Sequence, residues 1–246
     1  MLLVKIYDIY KKNVVLFLIS MQFCFILTTF ESQKKSHMKY HQIDRQLYIK
    51  NRAKFTAQMK PKSVAVFNSN DIYPISADSS MPFQQHRDIL YLSGVDQEDS
   101  ILVLCPDAPF EHLREMLFLK ETSEHIAVWE GEKLTKDRAF EVSGIKSVYW
   151  LPEFDKILNE LMTYSETMYI NTNEHYRASV ETETREARFV KSWKEKYPAH
   201  QVAKSNPILQ RLRSVKDKIE LDLIQNACKN KKKGFRRVLS FVKPEV

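Results

Sequence analysis

The sequence predicts an α/β fold in which a β-sheet is layered with helices. Short apolar runs of strand length alternate with segments whose apolar residues recur at helical spacing, and this alternation is typical of layered α/β domains. The clearest strand is residues 101–105, a continuous apolar run that Pro106 stops. Because no polar residue interrupts it, this run indicates a strand that is buried on both faces of a sheet.

Length and composition describe an ordinary soluble core with a charged surface. The chain has 246 residues, of which 43% are hydrophobic and 28% are charged, and this length is enough for one large or two small domains. The net charge of +7 favours acidic partners only weakly and does not by itself indicate nucleic acid. Cys24, Cys105 and Cys228 show no zinc-ligand spacing, so they are interpreted as free thiols in a reducing compartment.

The N-terminal segment, residues 1–37, differs from the rest of the chain. Residues 14–30 are uncharged and follow three lysines, an order typical of a signal peptide or a short anchor. No small-residue cleavage site is recognised, and the run is marginal in length for a membrane span. Three alternatives stay open. Met38 is the true start of a cytoplasmic protein, residues 14–30 export or anchor the protein, or the segment is part of the folded domain.

Each further element follows from its local pattern. Apolar runs predict strands over residues 63–67, 89–92, 116–119, 148–150 and 168–170. Helical spacing predicts helices over residues 41–59, 135–142, 152–164 and 181–196. Between Pro198 and Pro207 the composition predicts a polar linker.

Turn and capping residues support the ends of these elements. Asp44 lies in the first turn of the first helix, as a cap or dipole partner. Thr135 is placed to cap the helix that begins there, and Gly144 follows its end. Ser93 and Gly94 form the turn that ends the strand 89–92. Gly94 is one of only four glycines, so it is expected where the backbone needs a positive φ or a close approach.

Within residues 209–239 the sequence predicts a helix that Ser214 or Asp217 can cap. Its apolar stripe would contain Leu221, Ile224, Cys228, Phe235 and Leu239. Residues 229–237 carry six positive charges. Such a run is usual for a solvated helix face, or for a face that another domain covers, and nucleic-acid binding is the less favoured alternative.

Three stretches carry recognisable motifs. Residues 78–94 combine a small-residue loop, Arg87-Asp88 and a Tyr-x-Ser-Gly turn. Residues 129–134 are WEGEKL, and residues 213–224 contain Arg-x-x-Lys followed by an acidic residue and Glu220. Together these stretches resemble the Xaa-Pro aminopeptidases, also called the aminopeptidase P family. In that family an Arg is usual at the position of Lys133, and residues 213–224 resemble the opening of its catalytic "pita-bread" domain.

The resemblance implies a domain organisation. Residues 38–200 would form the family's N-terminal domain, with a mixed β-sheet, after a signal-like or non-native extension at residues 1–37. Residues 201–246 would form a linker and the first helical segment of a truncated catalytic domain.

The resemblance also implies an activity, the removal of an N-terminal residue that precedes proline. The family uses two metal ions, usually manganese, which lower the pKa of a bridging water and stabilise the oxyanion. Their ligands, two Asp, one His and two Glu, would fall after residue 246, so this chain alone is expected to be inactive and to hold no metal.

Two functions follow from these expectations. In the first, the chain is the N-terminal portion of such an enzyme, where it serves homo-oligomerisation and the access of peptides with proline at the second position. In the second, it is a free-standing, non-catalytic module that binds peptide or pairs with subunits of a complete relative. Other catalytic motifs, including HExxH, G-x-S-x-G and Walker A, are absent from the sequence, and no nucleic-acid partner is expected.

The candidate site residues come from the same resemblance. Trp129 would bind substrate and reach toward a neighbouring subunit, because an aromatic face suits a proline ring. The alternative is a Trp packed in the core or at a domain seam. Arg87, Asp88 and Gly94 would order a loop near the catalytic cleft. For Arg87 and Asp88 the alternative is a structural ion pair, or a hydrogen bond to the Gly94 turn.

Overall fold

The computed structural model describes residues 42–173, 175, 177 and 181–243. The N-terminal segment and Cys24 lie outside the described residues, so the alternatives for residues 1–37 stay predictions. Within the described part, no helix is long and apolar enough to cross a membrane.

A six-stranded mixed sheet forms the centre of the fold, with the strand order β6-β5-β4-β1-β7-β8. The strands are β1 Ser63–Asn68, β2 Pro74–Ser76, β3 Ser79–Ser80, β4 Ile101–Leu104, β5 Glu115–Leu119, β6 Ser147–Trp150, β7 Thr167–Ile170 and β8 Gln201–Lys204. Strand β4 runs antiparallel to both neighbours, and the other pairs in this sheet are parallel. Strands β2 and β3 form a separate hairpin.

Helices cover both faces of the sheet. They are α1 Gln46–Thr56, α2 Arg87–Ser93, α3 Glu124–Glu130, α4 Lys136–Ser143, α5 Phe154–Tyr164, α6 Arg185–Lys196, α7 Asn206–Ser214 and α8 Lys218–Leu239. Helices α5 and α6 contribute buried residues to one core, and α1, α2, α4 and α7 contribute to the other. The predicted α/β fold with a mixed, helix-covered sheet is therefore confirmed.

Alternation along the central strands divides their side chains between these two cores. In β1, Val64 and Val66 belong to one core, and Ala65 and Phe67 belong to the other. Every residue of β1 and β4 is buried. This burial on both faces explains the continuous apolar runs, and it confirms the strand that was predicted from residues 101–105.

The strand predicted at residues 89–92 is wrong, because these residues form helix α2. The His86 side chain accepts a hydrogen bond from the Asp88 amide at the start of α2. At its end, Gly94 adopts φ 72° and donates its amide hydrogen to the Leu90 carbonyl. Ile89 and Leu92 are three residues apart, so both face the core from one side of the helix. A four-residue apolar run does not by itself distinguish this helix from a strand.

The predicted polar linker between Pro198 and Pro207 contains strand β8, which is a correction. This strand pairs only with β7 in its sheet, and Gln201, Val202 and Lys204 are exposed. An edge strand of this kind carries polar side chains, so its sequence lacks the apolar run that identified the central strands.

The predicted C-terminal helix is α8, and a separate helix, α7, precedes it and ends at Ser214. Asp217 caps α8: its carboxylate accepts from the Ile219 amide, and the Glu220 carboxylate accepts from the Asp217 amide. Of the two predicted caps, Asp217 is therefore confirmed. The predicted roles of Thr135 and Gly144 at the ends of α4 are also confirmed.

Candidate functional site

The carboxyl ends of three parallel strands meet at one edge of the sheet. Strands β1, β7 and β8 run in the same direction. Asn68 ends β1, Asn171 follows β7, and Ser205 follows β8. All three side chains are buried. This edge is where open α/β sheets usually place their functional groups, so it is the candidate site.

A chain of hydrogen bonds connects these strand ends to two helices. The Ser205 hydroxyl donates to Asn171 Oδ1 at 2.7 Å. Asn171 Nδ2 donates to Asp88 Oδ2 at 3.2 Å, and Arg213 Nη1 donates to Asp88 Oδ1 at 2.6 Å. We call His86, Asp88, Asn171, Ser205 and Arg213 the strand-end cluster. It links β7 and β8 to α2 and, through Arg213, to α7.

The ion pair between Asp88 and Arg213 joins two of the stretches that were singled out in the sequence. The Asp88 side chain is 10% exposed and that of Arg213 is 42% exposed. Arg213 also lies over the Tyr91 ring, 5.9 Å from its centroid. The sequence analysis marked both stretches but did not pair them. The pairing could have been suspected from the sequence only on the ground that a buried carboxylate needs a cationic or hydrogen-bonding partner.

The structure separates the three residues that were predicted to order one loop. Asp88 lies within the strand-end cluster. Arg87 is exposed on α2, and it is Arg213 that pairs with the Asp88 carboxylate, because adjacent helical residues do not face each other. Gly94 lies at the opposite end of α2, against the Tyr48 ring. The proposed role of these residues near a catalytic cleft stays a prediction.

His86 is held in its neutral form by its neighbours. Its Nδ1 atom accepts from the Asp88 amide at 3.3 Å and lies 3.3 Å from Asn171 Nδ2. An acceptor at Nδ1 requires that this nitrogen carry no proton. Burial lowers the pKa of His86; the Asp88 carboxylate opposes this shift, and the Arg213 charge adds to it.

Glu186 connects the first turn of α6 to the same edge. Its carboxylate accepts from Asn68 Nδ2 at 2.7 Å and from the Asn171 amide at 3.0 Å. Burial raises the pKa of Glu186, and the two asparagines oppose this shift. With these contacts α6 and α2 are both hydrogen-bonded to Asn171, so this edge connects both helices to the sheet.

We expect wild-type stability to fall below about pH 6.5, the ordinary pKa of histidine, in part because of His86. Its pKa is lower in the folded protein, so the unfolded chain binds more protons there and stability rises with pH. His86→Asn keeps a capping side chain and removes the titration. The loss of urea midpoint from pH 7.5 to pH 5 should therefore be smaller in His86→Asn.

The matched control is His112→Asn, at an exposed histidine, which should keep the wild-type pH dependence. Glu186 acts in the opposite direction, because a raised carboxyl pKa loses stability as pH increases. The variant is therefore compared with wild type at each pH. Parallel pH profiles for His86→Asn and wild type would contradict the neutral assignment.

Trp129 lies in α3, but its side chain is outside what the structure describes. The backbone after it turns at Gly131, with φ 81°. Lys133, the residue that stands where the family usually has Arg, forms an ion pair with Glu98. No contact tests the substrate role of Trp129, and that role stays a prediction.

The strand-end cluster does not suit a pair of metal ions. Its one carboxylate, Asp88, is already engaged by Arg213 and Asn171. Across the described ranges, no group of three or more His, Cys, Asp or Glu side chains could hold a metal ion. The geometry can therefore position helices, and no metal chemistry is assigned to it.

The fold and its strand-end cluster define an α/β domain that holds the start of a following helical segment. Residues 48–169 match the family described as aminopeptidase P, N-terminal domain. This match contains β1, β4, β5 and β6 and ends within β7. The chain belongs to the aminopeptidase P family through this N-terminal domain.

Curated relatives support this assignment. The chain is 27% identical over 139 residues to the Xaa-Pro aminopeptidase of Escherichia coli (strain K12), covering 56% of this chain and 31% of that protein. It is 26% identical over 169 residues to human Xaa-Pro aminopeptidase 3, covering 68% of this chain and 33% of that protein. The chain thus spans about a third of the length of these relatives.

Solved structures support the fold. Zn-substituted E. coli aminopeptidase P in complex with product has a TM-score of 0.70 at 23% identity, covering 84% of this chain and 47% of that chain. The E. coli enzyme with the inhibitor Pro-Leu has a TM-score of 0.69 at 22% identity, covering 83% and 46%. At this identity the likeness establishes the architecture only.

Proposed function

We propose that this chain is the N-terminal portion of a metal-dependent Xaa-Pro aminopeptidase, which removes the N-terminal residue that precedes proline. The observation that carries this proposal is the 2.6 Å ion pair between Asp88 and Arg213. One partner lies in the matched N-terminal domain, and the other lies in the stretch that resembles the opening of the catalytic domain. This pair therefore connects the N-terminal domain to the start of the proposed catalytic domain.

The proposal divides the work between two parts of the enzyme. Two manganese ions and their ligands belong to the catalytic part, so this chain alone is inactive. The N-terminal domain, residues 38–200 together with β8, serves homo-oligomerisation and the access of peptides with proline at the second position. Trp129 contributes an aromatic surface for the proline ring, reaching a neighbouring subunit. The remaining residues to 246 form the start of the catalytic domain.

Helix α8 favours this function over a free-standing module. Residues 221–239 are all exposed. Its exposed apolar side chains include Leu221, Ile224, Phe235, Val238 and Leu239. At 100° per residue these five fall on one side of the helix, and Lys218, Lys229, Lys233 and Arg236 fall on the opposite side. Lys231 shares the apolar side, where its ammonium lies 5.9 Å from the Phe235 ring centroid. An apolar stripe of this kind is suited to the interior of a catalytic domain, and a free-standing module would leave it in water.

The test is a chimera in which this chain replaces the corresponding N-terminal part of E. coli Xaa-Pro aminopeptidase. We expect the chain alone to show neither turnover of Xaa-Pro peptides with Mn²⁺ nor stoichiometric metal, and the chimera to show turnover. Trp129→Ala in the chimera should lower kcat/KM about tenfold, the effect of an aromatic contact worth about 1.4 kcal/mol.

The control chimera carries Trp150→Ala, at a half-buried tryptophan that packs against the core of the domain. It should lower stability without a selective loss of kcat/KM. Turnover by the chain alone would contradict the proposal. A chimera no more active than the catalytic part without any N-terminal domain would contradict it as well.

A further inference from the structure

The turn between α7 and α8 is held at two points by the helices beneath it. At the end of α7, Arg213 pairs with Asp88 of α2 at 2.6 Å. At the start of α8, Asp217 lies 3.7 Å from Lys50 of α1. The two contacts lie on either side of the break at residues 215–216, so each helix has its own connection to the α/β domain.

Tyr91 of α2 lies beside the first of these two points. The Tyr91 ring lies under the Arg213 guanidinium. Burial, and then the nearby Glu220 carboxylate, raise the pKa of the Tyr91 hydroxyl to about 12. The Arg213 charge opposes this shift and the Asp217 charge adds to it. Glu220 and Asp217, at the start of α8, thus act electrostatically on Tyr91 of α2.

The base of this junction is fixed in the core. Asn51 Nδ2 of α1 donates to the Tyr91 carbonyl of α2 at 3.0 Å. Arg52 of α1 donates to the Leu92 carbonyl at 2.9 Å. Asn51 and Arg52 are both buried, so α1 and α2 behave as one support, and their outer side chains are held in a constant relation to the sheet.

The N-cap residue of α8 has a second role at this point. Asp217 accepts from the Ile219 amide at 3.1 Å, and this bond starts the helix. The same carboxylate faces Lys50. The Asp217 carboxylate thus both caps the N-terminus of α8 and pairs with Lys50 of α1. The position at which α8 begins and the direction in which it runs therefore depend on the same side chain.

We propose that the Asp88–Arg213 and Lys50–Asp217 pairs form a two-point junction that fixes the direction in which α8 leaves the α/β domain. Asp88 and Lys50 are positioning residues: they touch neither substrate nor reacting atoms, and they act through α8. Resting on the proposed function, the junction orients the part of the catalytic domain that follows α7, and so sets the distance between its reacting groups and the Trp129 segment.

The first test measures distances in the chain itself and needs no enzymatic activity. Spin labels are placed at Cys228 of α8, which is exposed, and at Lys156→Cys of α5; Cys24 is changed to Ser, and Cys105 is buried. We expect a single narrow distance distribution for the unmodified junction. Lys50→Gln with Arg213→Gln should broaden the distribution and shift its maximum.

The matched control is Arg211→Gln, on the same helix turn as Arg213. Arg211 is exposed and contacts Gln58 rather than α2, so this variant should keep the narrow distribution. Arg213→Lys keeps the positive charge, so this variant should retain most of the narrow distance distribution. If the double variant gives the same distribution as Arg211→Gln, the two pairs only add stability, and the junction proposal is overturned.

The second test uses the chimera with the catalytic part. Lys50→Gln with Arg213→Gln should lower kcat by about 10²-fold, because a displacement of about 1 Å can cost that much, when both chimeras are assayed well below their melting temperatures. If the double variant changes the distance distribution but the wild-type chimera is inactive, the proposed function is contradicted and the junction is still supported. An active chimera whose kcat does not respond to the double variant would contradict the orienting role.

Discussion

Arg52→Met is expected to lower the free energy of unfolding by about 2–6 kcal/mol, because it leaves two buried carbonyls without a donor, at about 1–3 kcal/mol each. The Arg52 side chain is fully buried, and its Nε donates to Glu115 Oε2 at 2.9 Å. Its Nη1 donates to the Leu92 and Ser143 carbonyls, each at 2.9 Å. These carbonyls lie at the ends of α2 and α4, where the helix itself offers no partner. Methionine would leave both unsatisfied.

The measurement is the urea midpoint with a constant slope, and the control is Arg87→Met. Arg87 undergoes the same replacement but is exposed on α2, so its effect should be within about 0.5 kcal/mol. Arg52→Lys should fall between the two, because a single ammonium cannot reach three acceptors with the geometry of a guanidinium. Equal midpoints for Arg52→Met and Arg87→Met would show that the helix ends do not depend on Arg52.

The central strands could be predicted from the sequence because strands that are buried on both faces consist mainly of apolar residues. In β1 and β4 every residue is buried, and no polar side chain competes with the apolar signal within residues 101–105. Strand β8 carries the opposite signal. Its side chains are largely exposed, and β7 alone determines its conformation through the ladder from Thr167 to Ile170.

Helix α2 was predicted as a strand because its N-cap residue, His86, is unusual. His86 is not among the residues that commonly begin helices, and its role depends on Asn171, which lies 85 residues away. Local sequence therefore gave no start signal. Gly94 gave a stop signal, and it was interpreted correctly as a position of positive φ.

The candidate site could be predicted only in part for a related reason. Asp88 and Arg213 are 125 residues apart, and only the folded chain brings them together. Arg52 was not singled out at all, because the buried side of α1 mixes Asn51 and Arg52 with Leu47, Tyr48 and Phe55. A helix with a polar residue on its buried side has no clean apolar stripe, so its most constrained side chain resembles a surface residue.

Gly94→Ala is expected to lower the free energy of unfolding by about 2–5 kcal/mol. About 1–2 kcal/mol comes from placing a Cβ in the left-handed region at φ 72°. A further 1–3 kcal/mol or so comes from overpacking, because the new Cβ would lie 2.5 Å from Tyr48 Cζ. The Tyr48 ring is 7% exposed and belongs to α1, so it has no free space to move into. The measurement is again the urea midpoint.

Gly144→Ala separates these two costs, because Gly144 also ends a helix and has φ 73°. Its Cβ would meet the end of the half-buried Ile49 side chain, which can change rotamer, so we expect only the backbone cost of about 1–2 kcal/mol. Gly234→Ala, in α8 with no atom within 4 Å of its Cβ, should stabilise that helix by up to about 1 kcal/mol. Equal losses of unfolding free energy at Gly94 and Gly144 would mean that Tyr48 of α1 can move to make room for the new Cβ on α2. Helices α1 and α2 would then be mobile relative to each other, and the distance distribution of α8 should be broad even without a substitution.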